Sequence, residues 1–340
     1  MIECRVFITS GNFSSCYYDC VWMIDVLIHS PYPRQRSQGN AVTAERMRKL
    51  LQSGGLNAAI HERGDISMTA KCLIALNARK SAGEIFDFRR RLPESSLVAL
   101  LTGTDVNHSE MEQFGSDTLK ALELSDRIVS LHEGFSHRIP DDLLTKTKVI
   151  YPSVQLVDDI NHRPGELWKV IIAGNFREEI NPDLMMQAVS KLTNSPLHLH
   201  AYGGGGDYQA KLERTAKKYA QFHFHGVQEH DALLADMQSA RVLLNTSTEE
   251  GGANAICEAV SLGLPVIASK IDGNVGMLGA DYAGFFTSGD VDSLIDILVR
   301  VAEDINFYQT LKRQVTERAP FFSYQREMEE WTALVRQMIE

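Results

Sequence analysis

Apolar and polar positions follow two rhythms along this chain. Short runs rich in Val, Ile and Leu recur at residues 26–30, 72–76, 97–101, 127–131 and 148–151. They return at 168–173, 241–245 and 265–269, with the mixed runs LHLHAY at 197–202 and FHFHG at 222–226 between them. Runs of that length, bounded by Gly, Pro, Asn and Ser, predict buried strands. Between them, apolar residues spaced three and four apart predict helices over 42–52, 82–91, 117–124, from Pro182 onward, over 208–220, 230–239 and before Gly263. The chain closes with three further helical patterns at 290–302, 305–317 and 324–339. Strand and helix alternating in this way predict an α/β protein built on parallel sheets.

The alternation stops once, in a polar stretch at 153–166 that carries Pro164 and has no period. It reads as a linker between a first domain, 25–152, and a second, 167–320, with 321–340 returning to the first. Each half then forms a doubly wound sheet, the two facing each other across a cleft. Residues 1–24 have neither a sustained period nor the layout of a signal peptide, so a loosely attached extension is expected there. The 340 residues, 44% of them apolar, suffice for two cores. A net charge of −10 disfavours nucleic acid as a partner. No apolar run is long enough for stable membrane insertion. Five scattered cysteines, an odd number, point to a reducing compartment and a cytoplasmic protein. Cys16 and Cys20 lack a second pair at zinc spacing, so no metal is expected. Oligomeric state is not legible.

The chemistry concentrates in residues 246–273, TSTEEGGANAICEAVSLGLPVIASKIDG. A strand enters a loop with Gly251 and Gly252, a helix follows, Gly263 stops it and a second strand leaves. Glu250 falls in the loop and Glu258 in the helix, where helical spacing sets it on a face with Asn254 and Ser261. Glycines admit a ligand close to the backbone, and a helix start favours phosphate. Read without further context, the same residues also make an ordinary βαβ unit with a surface glutamate. Earlier in the chain, Gly39, Asn40 and Thr43 follow the first strand, where an oxygen of an acceptor or diphosphate would be held; a Gly-Asn turn before a helix accounts for them equally well. Arg79 and Lys80 follow one strand, and Thr102, Thr104 and Asp105 follow another. Together these form an anion pocket, or the two basic residues are solvated loop charges. The glycine run at 203–206 lacks the Lys and Ser/Thr of a phosphate loop and reads as a turn.

Two glutamates separated by seven residues, followed by GLPVIAS, resemble the donor site of family 4 glycosyltransferases of the GT-B fold. The segments QGNAVTAERM, ALNARKSA, VALLTGTDV and EGGANAICEA, with the run SKIDGNVGMLGADYAGFF to APFFSYQRE, resemble one branch more narrowly. That branch is the selenosugar synthases of selenoneine biosynthesis. The resemblance extends from Val26 to the C-terminus. It implies two Rossmann-like domains, a final helix crossing back to the N-terminal domain, and no cofactor beyond a UDP-sugar donor. The implied reaction is attack of selenophosphate on the anomeric carbon of UDP-N-acetylglucosamine or UDP-glucose.

On that resemblance Arg177 neutralises the departing diphosphate. Gly251, Gly252, Ala253, Asn254 and Glu258 hold the donor, Glu258 through the ribose, while Glu250 orients the sugar. Gly39, Asn40, Thr43, Arg79, Lys80, Thr102 and Thr104 are then the acceptor contacts, with Asp105 a base or a sugar contact. Two positions depart from the family pattern. Asn77 stands where a His is expected, and Ile180 stands where a Lys is expected after Arg177. Lys270 is the candidate replacement for that missing cation.

Overall fold

The computed structural model describes residues 24–32, 39–61, 69–103, 105, 115–154, 162–193 and 195–340. Most of the expected N-terminal extension, residues 155–161 of the expected linker, and Thr104 therefore lie outside the described residues. The first sheet contains β1 (Ile24–His29), β2 (Ala58–His61), β3 (Ala70–Leu76), β4 (Ser96–Leu101), β5 (Arg127–Ser130) and β6 (Thr147–Val149), in the order β2-β1-β3-β4-β5-β6. The second contains β7 (Trp168–Ala173), β8 (Leu197–Tyr202), β9 (Phe222–Gly226), β10 (Val242–Asn245), β11 (Val266–Ser269) and β12 (Phe285–Phe286), in the order β12-β11-β10-β7-β8-β9. The two sheets are parallel, as in β1 with β3 and β10 with β7.

Parallel pairing explains why the strands read as continuous apolar runs. Helices cover such sheets on both faces, so alternate positions both point into a core. β10 is buried at all four positions, as is β11. The covering helices are α1 (Gly39–Ser53), α2 (Ala82–Arg91), α3 (Ser116–Leu124), α4 (Asp141–Leu144), α5 (Pro182–Lys191), α6 (Gln209–Lys218), α7 (His230–Ser239), α8 (Asn254–Leu262), α9 (Asp272–Leu278), α10 (Val291–Glu303), α11 (Ile305–Arg318) and α12 (Tyr324–Ile339). Among the described residues, no helix is long and apolar enough to cross a membrane.

The chain forms two compact units, one of residues 1–100, 116–128 and 328–340, the other of 101–115 and 129–327. Most of α12 therefore belongs to the first unit. There Trp331 is buried, Arg336 donates to the Gly54 carbonyl, and Ser96 donates to the Met338 carbonyl. The second unit has its own core, in which Phe176, Met185, Phe222, Ile256, Ile267 and Phe322 are buried.

Beyond the two-residue β12 and the four-residue α4, which were not foreseen, three features differ from the sequence expectation. β2 was not foreseen: AAIH is short and weak in β-formers, and it is held by pairing with β1. α1 begins at Gly39, so Gly39 and Asn40 lie in its first turn and not in a loop before it. α9 was hidden because its sequence, DGNVGML, contains two glycines that lower helix propensity.

Candidate functional site

The carboxyl ends of β10 and β11 meet over a buried polar network in the second unit. Asn274, fully buried on α9, donates to Asn245 Oδ1 at 3.1 Å and to the Ser269 carbonyl at 3.0 Å. Ser247 donates its backbone N–H to the same Asn245 oxygen at 3.1 Å, and Ser269 Oγ donates to the Ser247 carbonyl. Buried polar groups demand such partners; among the described residues Asn274 Oδ1 finds none, while the bonds made by its Nδ2 tie β10, β11 and α9 together and hold one backbone path. Here they fix the loop that carries Glu250. The carboxylate of Glu250 accepts from Ser247 Oγ at 2.8 Å and from Asn245 Nδ2 at 3.3 Å. Burial pushes its pKa up, opposed by those two bonds and by the positive charge of Arg177.

The glycines in this region permit backbone contacts that a side chain would block. A Cβ on Gly251 would stand 2.2 Å from both N and Cα of Gly103, in the turn after β4 that belongs to this unit. That turn is tied by the buried Asp105, whose carboxylate accepts from the N–H of Thr102 at 3.0 Å and of Gly103 at 2.9 Å. Gly252 has φ +146, and a Cβ there would meet Leu131 at 2.7 Å. On α9, a Cβ on Gly273 would stand 2.4 Å from the Glu250 carbonyl.

α8 begins directly after this loop, with Ala253 at its N-cap and no side chain capping it. The first backbone N–H groups of a helix have no partner within the helix, and a helix start of this kind favours an anion. In the second turn of α8, Glu258 is 9% exposed, between buried Cys257 and Ala259. Its Oε1 lies 2.9 Å from His230 Nε2, at the start of α7. Arg177 follows β7, is more than half exposed, and pairs with Glu179 at 3.2 Å. The short turn after it is braced on the site loop: Thr248 N–H donates to the Glu179 carbonyl at 2.8 Å, and Thr246 Oγ1 to the Ile180 carbonyl at 2.8 Å.

Next to Glu250 lies a cavity of about 200 Å³ lined by Arg138, Thr248, Glu249, Glu250, Ile271, Asp272 and Gly273. Ordinary ligand pockets span roughly 300–1,000 Å³, so this space is smaller than a whole drug-sized ligand needs. Arg138 reaches Asp272 Oδ2 at 2.9 Å through Nε and 2.6 Å through Nη2. This is a cation at the Glu250 pocket that the sequence reading missed, because residues 133–138 show no strand or helix period. Lys270, the expected substitute cation, is exposed, and its backbone N–H donates to the Phe286 carbonyl. His230 and the Asn245–Ser269–Asn274 network were also missed. Among the described residues, no three His, Cys, Asp or Glu side chains are grouped to hold a metal ion.

In the first unit, Asn77 ends β3 in the left-handed region (φ 60), which Asn tolerates. Its Oδ1 accepts the Lys80 N–H at 3.1 Å, so this position serves as the cap of a turn. Lys80 Nζ bonds the Tyr32 hydroxyl and lies 4.8 Å from the centre of that ring. Arg79 lies within the same turn, partly exposed, and Thr43 is buried in α1. Thr102 and Asp105 meet each other in the second unit, as described above.

Solved structures share this fold across nearly the whole chain. Sucrose-phosphate synthase from Thermosynechococcus elongatus superposes with a TM-score of 0.77 at 15% identity, covering 93% of this chain and 99% of that one. Anabaena HepE in complex with UDP and glucose gives 0.71 at 14% identity, covering 92% and 100%. The architecture is thus the α/β GT-B fold. Residues 155–318 match the family described as glycosyl transferases group 1. A curated relative, UDP-Gal:alpha-D-GlcNAc-diphosphoundecaprenol alpha-1,3-galactosyltransferase of Escherichia coli, is 41% identical over 69 residues, 20% of this chain. The match spans 18% of that relative's length.

Proposed function

We propose that this chain is a glycosyltransferase that takes a UDP-sugar, UDP-N-acetylglucosamine or UDP-glucose, and transfers the sugar to selenophosphate. The observation that carries the donor half is the uncapped start of α8, flanked by the carboxylates of Glu250 and Glu258 and preceded by a glycine loop. A diphosphate suits the helix start, where backbone N–H groups and the helix dipole favour negative charge. Arg177, already acting on this region electrostatically, is the cation for the leaving group. Glu258 accepts ribose hydroxyls, and Glu250 with Asn254 orients the sugar. Gly251, Gly252 and Ala253 supply backbone contacts.

The acceptor half rests on the sequence resemblance. Selenium attacks the anomeric carbon as the bond to the diphosphate oxygen breaks, and UDP departs with that electron pair. Water then cleaves the P–Se bond, releasing phosphate and leaving a selenosugar. Gly39, Asn40, Thr43, Arg79, Lys80, Thr102 and Thr104 remain the proposed acceptor contacts. Asp105 is less suited to act as a base, because its carboxylate already serves two backbone N–H groups and a selenophosphate nucleophile needs little deprotonation.

A second reading, conventional transfer to a hydroxyl or thiol acceptor, draws support from the similarity to the galactosyltransferase segment. Incubating the protein with UDP-N-acetylglucosamine, with and without selenophosphate, separates the two. Selenophosphate-dependent UDP release supports the first. Release only with a hydroxyl or thiol acceptor supports the second. Binding without release under any of these conditions refutes both.

A further inference from the structure

We propose that His230 is a positioning residue for the donor nucleotide: it holds the Glu258 carboxylate in place for the ribose hydroxyls and brings a titrating positive charge beside it. This rests on the donor-site reading above.

Glu258 is nearly buried, and a buried carboxylate is costly without a partner. Among the described residues, the side chain that hydrogen-bonds it is His230, at 2.9 Å. That bond occupies Oε1, and no described side chain is seen on Oε2, which remains able to accept from a ligand hydroxyl. The imidazole is itself about half exposed.

His230 is also a poor choice for its own helix. It is the first residue of α7, and a cation at a helix start opposes the dipole. A local rule broken without local gain marks a functional position, and the gain here is Glu258. Two charges act on the ring: Glu258 from α8, and Asp231 on its own helix. The bond to Glu258 raises the imidazole pKa above its ordinary value, against the opposing effect of burial. Below that raised pKa the pair is neutral; above it, the pair carries one negative charge next to the place proposed for a diphosphate. Donor affinity should therefore fall as pH rises.

The probe is UDP-N-acetylglucosamine, because a diphosphate diester has no group that titrates between roughly pH 6 and 8. Calorimetric titration across that range should show wild-type affinity weakening about five-fold with rising pH, the effect of losing one partly exposed charge. His230→Gln keeps an N–H for Glu258 but cannot titrate, so it should bind with a flat pH profile. His230→Ala should bind more weakly throughout, through KM and not kcat. Thermal unfolding of the three forms identifies any variant that has lost its fold. A Gln variant that titrates like wild type, or an Ala variant that binds like wild type, would overturn the role of His230. Failure of every form to bind UDP-N-acetylglucosamine at any pH would overturn the donor-site reading instead.

Discussion

Replacing Gly251 with alanine adds one carbon to a place where two backbones already touch. The new Cβ would stand 2.2 Å from N and Cα of Gly103 and 2.2 Å from the carbonyl carbon of Thr102. Carbon atoms pack at about 3.5–4.0 Å, so the turn after β4 and the Glu250 loop must separate by more than about 1 Å. All the obstructing atoms are backbone, so no side chain can swing aside. The turn is held by Asp105 and the loop by the Asn245–Ser247 bonds, so neither yields cheaply. Overpacking of this kind costs about 1–3 kcal/mol. Urea unfolding of Gly251→Ala should register that loss, and UDP-sugar affinity should fall about ten-fold or more as the loop shifts. Gly83→Ala is the control. Its Cβ meets nothing within 4 Å inside α2, so stability should hold or rise by about 0.5–1 kcal/mol. Unchanged stability and unchanged affinity in Gly251→Ala would refute the close approach.

Further expectations concern other parts of the molecule. Gly273→Ala places a Cβ 2.8 Å from Glu250 Cβ, so it should lower turnover about ten-fold or more by displacing that carboxylate, measured at saturating donor. Trp331→Ala empties a fully enclosed site in the first unit and should cost about 3–5 kcal/mol in chemical denaturation. On β8 and β9, His200 Nδ1 faces His225 Nε2 at 3.0 Å, and His198 Nδ1 faces His223 Nε2 at 3.1 Å. Burial, then the neighbouring His223, His225 and Lys169, push the His200 pKa down to about 3, and those of His223 and His225 are also lowered. The unfolded chain therefore binds more protons than the folded one below about pH 6.5. Stability is full above that value and is lost as pH falls toward 3. His200→Gln should flatten this acid dependence by about 1 kcal/mol between pH 6.5 and 5, read from urea midpoints.

The central strands of both sheets were legible because parallel strands covered on both faces must be apolar throughout. β7, β8, β9 and α7 fall at the residues their patterns predicted. What escaped were elements whose sequence serves contacts and not propensity. β2 is held by its neighbour, and α9 keeps two glycines because other groups press against them. Its Gly273 meets Glu250, and a Cβ on its Gly276 would stand 2.3 Å from His132 Nδ1. In the site, Glu250 and Glu258 announced themselves by spacing, but their partners did not. Asn245, Ser269 and Asn274 are separated in sequence and joined only by the fold of β10, β11 and α9. His230 carried one faint signal, a basic residue at a helix start, and Arg138 sits in a segment with no period at all. The histidines of β8 and β9 did alternate visibly, as HLH and HFH, yet their pairing depends on which strands are neighbours.

The most direct test is a crystal structure of the protein with UDP bound. The account predicts the diphosphate within hydrogen-bonding distance of the backbone N–H groups at the start of α8, with a ribose hydroxyl on Glu258. A nucleotide seated away from α8, with Glu258 still bonded only to His230, would contradict it.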